Sequence, residues 1–194
     1  MIGFIVYFSV VIPDKERVVT IKEKTIEVVN YKRGLELNNE IKRNENKHKI
    51  IKLLAKKTDS DKIAKIILNN SLEYNIPVAF AFALAWSESR FKPNAINGIH
   101  NSNGSADWGL FQLNDYHRDW SREELLNPYK NTKEAMRVLD KILSNNSQVI
   151  AIGIYNVGAT GIKKGLPYTT LVHINNVIEY RDNLLDEINE VMVE

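Results

Sequence analysis

Glu88 is the side chain best placed in the sequence for acid–base chemistry. It follows Val78 to Trp86 (VAFAFALAW), a run without a polar residue. A helix apolar on every side belongs inside a domain, and this one is too short to span a membrane. A carboxyl just past such a run, at the carbonyl end of a buried helix, is disfavoured in its charged form by burial and by the helix dipole. It can then stay protonated near neutral pH and act as a general acid, as cleavage of a glycosidic bond requires. On position alone, a Glu that simply reaches solvent past the helix end is the commoner case.

Other chemistries find less support. The chain has no cysteine, which excludes disulfides, thiolate nucleophiles and thiolate metal sites. Its four histidines (His48, His100, His117, His173) show no HExxH spacing. No metal site and no organic cofactor is therefore expected.

The elements that position Glu88 read as mainly helical, with a minimal β segment. At 194 residues, 44% apolar and 26% charged, the chain suits one compact domain with extensions. Thr58 and Asp61 have capping-box spacing ahead of Ile63, Ile66 and Ile67, which opens the domain. Pro77 suits the first turn of the apolar helix. A loop rich in Asn, Gly and Ser covers Lys92 to Asp107. Further helices are expected from Thr132 to Leu143, from Gln148 to a stop at Gly158, and through Leu171, Ile174, Val177, Ile178, Leu185 and Ile188.

The first 57 residues carry no chemical motif. Ile2 to Ile12 is an apolar run whose length suits an export signal or anchor, though no Lys or Arg precedes it and no cleavage site follows. A buried β-strand is the alternative, given its β-branched content. Residues 13–57 read as a charged appendage, strand-like near Val18 and helical from Leu35 to Lys57. Between Thr20 and Lys57 there are 11 Lys or Arg against 5 acids, whereas the rest from Thr58 has 13 against 17. Such a basic arm fits contact with an anionic membrane or wall polymer, or is a solvated helix face. Nucleic acid is not an expected partner, because no recognised module accompanies the charge.

Three short motifs then change the weighting of Glu88. Glu88-Ser89-Arg90-Phe91, Gly109-Leu110-Phe111-Gln112 and Tyr155-Asn156-Val157-Gly158 closely resemble the ES-x-F, GL-x-Q and YN-x-G patterns of SLT-type lytic transglycosylases. They occur in the expected order, and the resemblance spans Ser60 to Leu185. It implies a lysozyme-like catalytic domain over 58–194 that acts as a monomer on peptidoglycan strands in the cell envelope. Glu88 would protonate the bond between N-acetylmuramic acid and N-acetylglucosamine, then act as base toward the muramyl C6 hydroxyl, leaving a 1,6-anhydro end. Gly109 and Phe111 would shape the cleft floor, and Gln112 would bond the sugar or brace the loop. Tyr155 would orient Glu88 with support from Asn156. Ser89, Asn97 and Asp107 complete the expected substrate-binding set. Trp86, Trp108, Trp120 and Tyr116 are candidates for stacking on sugars.

Asp107, just before the second motif, keeps a hydrolase in view. Chicken-type lysozymes have a second carboxylate at the equivalent place, and a retaining hydrolase needs its two carboxyl groups roughly 5 Å apart. Glu88 with Asp107 would then make a muramidase, while a protein that only binds peptidoglycan is the alternative outside catalysis. The last motif of the family also departs here, because His173 stands where a tyrosine is usual. Histidine adds a group able to change charge near neutral pH beside the site, or is a partly buried structural residue.

Overall fold

The computed structural model describes residues 7–11, 18–22, 25–43, 47–98, 104–116 and 119–193. Strand β1 (Tyr7–Val11) pairs antiparallel with β2 (Val18–Lys22), Tyr7 opposite Lys22 and Val11 opposite Val18. Part of the N-terminal apolar run is thus a strand, and its residues 2–6 and 12 lie outside the described residues. No helix among the described residues is long and apolar enough to cross a membrane.

The charged stretch expected as one helix is two, α1 (Thr25–Arg43) and α2 (Lys47–Thr58). Both join the main core, through Leu37 and Ile41 on α1 and Ile50 and Leu54 on α2. Asn38 on α1 is fully buried. Its amide donates to Ile76 O (2.8 Å), and its Oδ1 accepts from Val78 N (3.1 Å). That second bond satisfies an N–H at the start of the apolar helix, where Pro77 offers no side-chain cap.

Helix α3 (Asp61–Glu73) is capped by Ser60, which accepts from Ile63 N, and not by Thr58. Asp59 turns the chain at φ 51°, and the Thr58 hydroxyl donates to Ser60 O at 2.9 Å, with Leu54 O at 3.2 Å. Helix α4 (Val78–Ser89) is the centre of the molecule, with every residue from Val78 to Ala85 at most 2% exposed. Burying each large side chain of this kind contributes roughly 1.5–3 kcal/mol. Pro77 stands at the N-cap, one position before the first turn, because its ψ of 124° is extended.

The remaining helices complete the domain. Helix α5 (Arg122–Leu126) opens on a capping box of Ser121 and Glu124, and α6 (Pro128–Leu143) follows. α6 starts at Pro128 rather than Thr132, because Asn127 caps it and proline suits the first helical position. Helix α7 (Gln148–Lys164) kinks at Gly158 (φ 73°, ψ 163°), where the stop signal bends the chain and a further turn follows. Helix α8 (Tyr168–Val193) packs along α4 and α7.

A small antiparallel sheet lies between α4 and α5. Its strands β3 (Ile96–Asn97), β4 (Asp107–Trp108) and β5 (Leu113–Asn114) are in consecutive order. The register puts Asn97, Asp107 and Asn114 in one row across the sheet, and Ile96, Trp108 and Leu113 in the next. Side chains of one cross-strand row share a face. The fold is mainly helical with this minimal β segment, as expected for a lysozyme-like domain.

Candidate active site

Glu88 occupies the last turn of α4 and lines a cleft of about 560 Å³. The polar row Asn97, Asp107 and Asn114 forms one wall, and Val138, Ile142 and Ile154 form an apolar one. Gln112, Leu113, Tyr155, Asn156 and Gly158 complete the lining. Polar groups beside an apolar wall suit a ligand that carries both polar and apolar groups. Among the described residues, no group of His, Asp and Glu is arranged to hold a metal ion.

The chain leaves Glu88 through an abrupt turn. Arg90 (φ 54°) and Phe91 (φ 60°) are both left-handed, a backbone state that costs non-glycine residues about 1–2 kcal/mol each. The turn is held from both sides. The Arg90 guanidinium lies 3.5 Å over the Trp86 ring and donates to Trp86 O, while Phe91 is buried edge-on to Phe82. Ser89 is buried too, and its hydroxyl donates to Leu110 O (2.8 Å), tying the end of α4 to the second motif.

That second motif is a tight loop built on backbone bonds. The Gln112 amide donates to Gly109 O (2.8 Å) and Ala95 O (3.2 Å), and its Oε1 accepts from Asn97 Nδ2 (2.7 Å). Gln112 therefore braces the loop, one of the two roles expected of it, and holds Asn97 at the cleft edge. Asn131 on α6 is fully buried beneath the loop. It accepts from Phe111 N and donates to Trp108 O and Leu125 O. Gly109 is needed there, since a Cβ would stand 2.6 Å from Asn131 Nδ2 at a φ of 78°.

Of the site residues expected from sequence, Glu88, Asn97, Asp107, Gln112, Tyr155 and Asn156 meet in the cleft. Ser89, Gly109 and Phe111 stand behind it: all are buried, and their bonds and contacts shape the loop. The Tyr155 hydroxyl donates to Phe111 O (2.7 Å), so the third motif grips the second. Asn156 accepts from Thr170 Oγ1 (2.8 Å), which joins α7 to α8. Asp107 accepts from Asn114 Nδ2 (2.8 Å) within the polar row.

The expected stacking aromatics are not on the cleft lining. Trp108 is buried, and its indole N–H donates to Asp115. Trp86 stacks on Tyr180 at 4.7 Å, and burial pushes the Tyr180 hydroxyl up to about 12. Trp120 lies in a separate depression with Tyr74 and Tyr129. His100 and His117 lie outside the described residues. His173 is instead drawn to the site: its Nε2 is 3.4 Å from Glu88 Oε1 and its Nδ1 is 3.2 Å from Ser87 Oγ. Asn114 ends the second motif stretch and Thr170 opens the last one, whereas Asn131 had no signal in the sequence beyond being polar.

The family model for the transglycosylase SLT domain matches residues 65–178. Protein IpgF of Shigella flexneri is 35% identical over 99 residues, covering 47% of this chain and 64% of that protein. Protein IpgF of Shigella sonnei matches to the same extent. The match thus spans a little under two thirds of the length of these relatives. No solved structure matches the chain significantly.

Proposed function

Because the chain belongs to the transglycosylase SLT domain family, we propose that it is a peptidoglycan lytic transglycosylase with Glu88 as its acid and base. The observation that carries this reading is Glu88 itself, whose side chain is 13% exposed at the end of a wholly apolar helix while lining the cleft. In the first step, Glu88 gives its proton to the glycosidic oxygen as the bond from the muramyl C1 breaks. In the second, the muramyl C6 hydroxyl attacks C1 and returns its proton to Glu88. One C–O bond breaks, one forms, and no water is consumed.

The other residues hold substrate and frame. The polar row of Asn97, Asp107 and Asn114 offers donors and acceptors to the N-acetyl and hydroxyl groups of the strand. Val138, Ile142 and Ile154 take its apolar edges. The catalytic body is 58–194, with α1 bracing α4 and α2 bracing α3 and α8 from outside it. Such a substrate lies in the cell envelope, which is where the protein would act.

Asp107 favours a second reading, since it is a carboxyl group on the same cleft as Glu88. Acting with Glu88 it would make a retaining muramidase. Mass spectrometry of muropeptides released from purified peptidoglycan separates the two. Products with 1,6-anhydromuramyl ends, lighter by one water, are expected; reducing muramic acid ends would transfer the chemistry to the Glu88–Asp107 pair. Glu88→Gln should abolish release while keeping the fold, and undiminished release would sink both readings.

A further inference from the structure

We propose that His173 is the positioning residue of Glu88, a neutral imidazole that holds Oε1 through its Nε2–H while its Nδ1 accepts from the Ser87 hydroxyl. The inference rests on Glu88 being the acid and base, as proposed above.

Ser87 and Glu88 are adjacent in the last turn of α4, and α8 brings the His173 ring against both. Nε2 faces Glu88 Oε1 at 3.4 Å, and Nδ1 faces Ser87 Oγ at 3.2 Å. Neither Oε1 nor Nε2 is accessible to solvent, and neither has a hydrogen-bond partner elsewhere among the described residues. Two buried polar atoms in that position are satisfied only by each other, and leaving them unpaired is costly. Their separation is long for a hydrogen bond, as contacts of catalytic groups often are before substrate closes the site.

A neutral imidazole carries one proton for two nitrogens. With the proton on Nδ1, the lone pair of Nε2 would face Oε1, and the contact becomes favourable only if the Glu88 proton also sits on Oε1. That proton would point away from the glycan. With the proton on Nε2, Ser87 donates to Nδ1 and His173 donates to Oε1. The reacting proton is then left to Oε2, the oxygen free to face the cleft. The same N–H remains in place once Glu88 has become a carboxylate, and a bond to an ionised acceptor is stronger than one to a neutral acceptor. His173 itself neither gains nor loses a proton in the cycle. Its contribution grows as charge develops on Glu88, so it belongs in kcat and not in KM.

The test is steady-state cleavage of peptidoglycan by the full chain and its variants, with kcat and KM separated, alongside ring nitrogen NMR shifts of His173. His173→Leu should lower kcat by about 10- to 100-fold, the range of one hydrogen bond to a charged group, with KM little changed. His173→Gln keeps an N–H near the Nε2 position and should recover most of that loss. Ser87→Ala should lower kcat less, and the wild-type ring should carry its proton on Nε2. The proposal is overturned if His173→Leu keeps full kcat while Glu88→Gln is inactive, or if the ring proton sits on Nδ1. It is also overturned if His173→Gln is as slow as His173→Leu. An active Glu88→Gln would instead remove the assignment of Glu88 on which the proposal rests. Should His173→Leu fail to fold, the ring tautomer and Ser87→Ala decide.

Discussion

The hydroxyl of Ser89 donates to the carbonyl of Leu110 at 2.8 Å, joining the residue after Glu88 to the loop that floors the cleft. The bond is buried, so removing the donor leaves an acceptor that water cannot reach. Ser89→Ala should cost about 1–3 kcal/mol in stability, measured by urea denaturation. It should also lower kcat several-fold, because Glu88 loses its register against the loop. A variant as stable and as active as the parent would remove this bond from the framework.

Asn131 is the floor on which that loop rests. Replacing it by Leu strips partners from Phe111 N–H and from the carbonyls of Trp108 and Leu125. With about 1–3 kcal/mol for each buried unpaired group, a loss of 3 kcal/mol or more is expected. Gly109→Ala attacks the same contact from above, through a Cβ 2.7 Å from Leu125 O and a left-handed φ. About 2–5 kcal/mol is expected for the combined strain and overpacking. Thermal unfolding of both variants checks the pair, and a Gly109→Ala chain with unchanged Tm would contradict the close approach.

Gly158 poses a cleaner question, because nothing lies within 4 Å of where its Cβ would be. Its φ of 73° and ψ of 163° fall in a region that only glycine occupies readily. Gly158→Ala should therefore cost about 1–3 kcal/mol through the backbone alone. The kink would relax and shift Tyr155 and Asn156 from the cleft, so activity should fall further than stability accounts for. Circular dichroism melts paired with an activity assay would read both effects.

Acid should weaken the start of α5. The Lys130 ammonium, bonded to Glu124 at 2.9 Å, and the Ser121 backbone and hydroxyl hold the Glu124 carboxyl down at about 2. A carboxyl whose folded value is depressed stabilises the fold above its unfolded value, and that stability is lost as pH falls. The window therefore runs from about 4.5 down to about 2. NMR titration of the Glu124 side chain should show the low midpoint, and Glu124→Gln should flatten the pH dependence of Tm within that window. A midpoint near the ordinary carboxylate range would refute the capping account.

Much of this protein was legible before folding, because the signals were local. Nine apolar residues in a row specify a buried helix whatever surrounds it, and Glu88 then has to stand near its end. The Gly158 kink was marked by its residue type, since backbone preference acts within a few residues. The three motifs placed Gln112, Tyr155 and Asn156 beside Glu88, and the cleft lining contains all of them. Helix boundaries shifted where short-range competitors lay side by side, as when Ser60 capped α3 in place of Thr58.

Tertiary packing decided the rest. Whether Asn97, Asp107 and Asn114 line up depends on strand register, which a one-residue slip would reverse. Trp108 turned inward to Asp115 because it and its cross-strand neighbour Leu113 pack into the core, which sequence alone does not declare. Asn131 and His173 became important only when α6 and α8 carried them under the loop and against Glu88. Composition and periodicity act along the chain and determined the helix that carries the acid. The partners of that acid come from distant segments, and only the packing of α4 against α8 could select them.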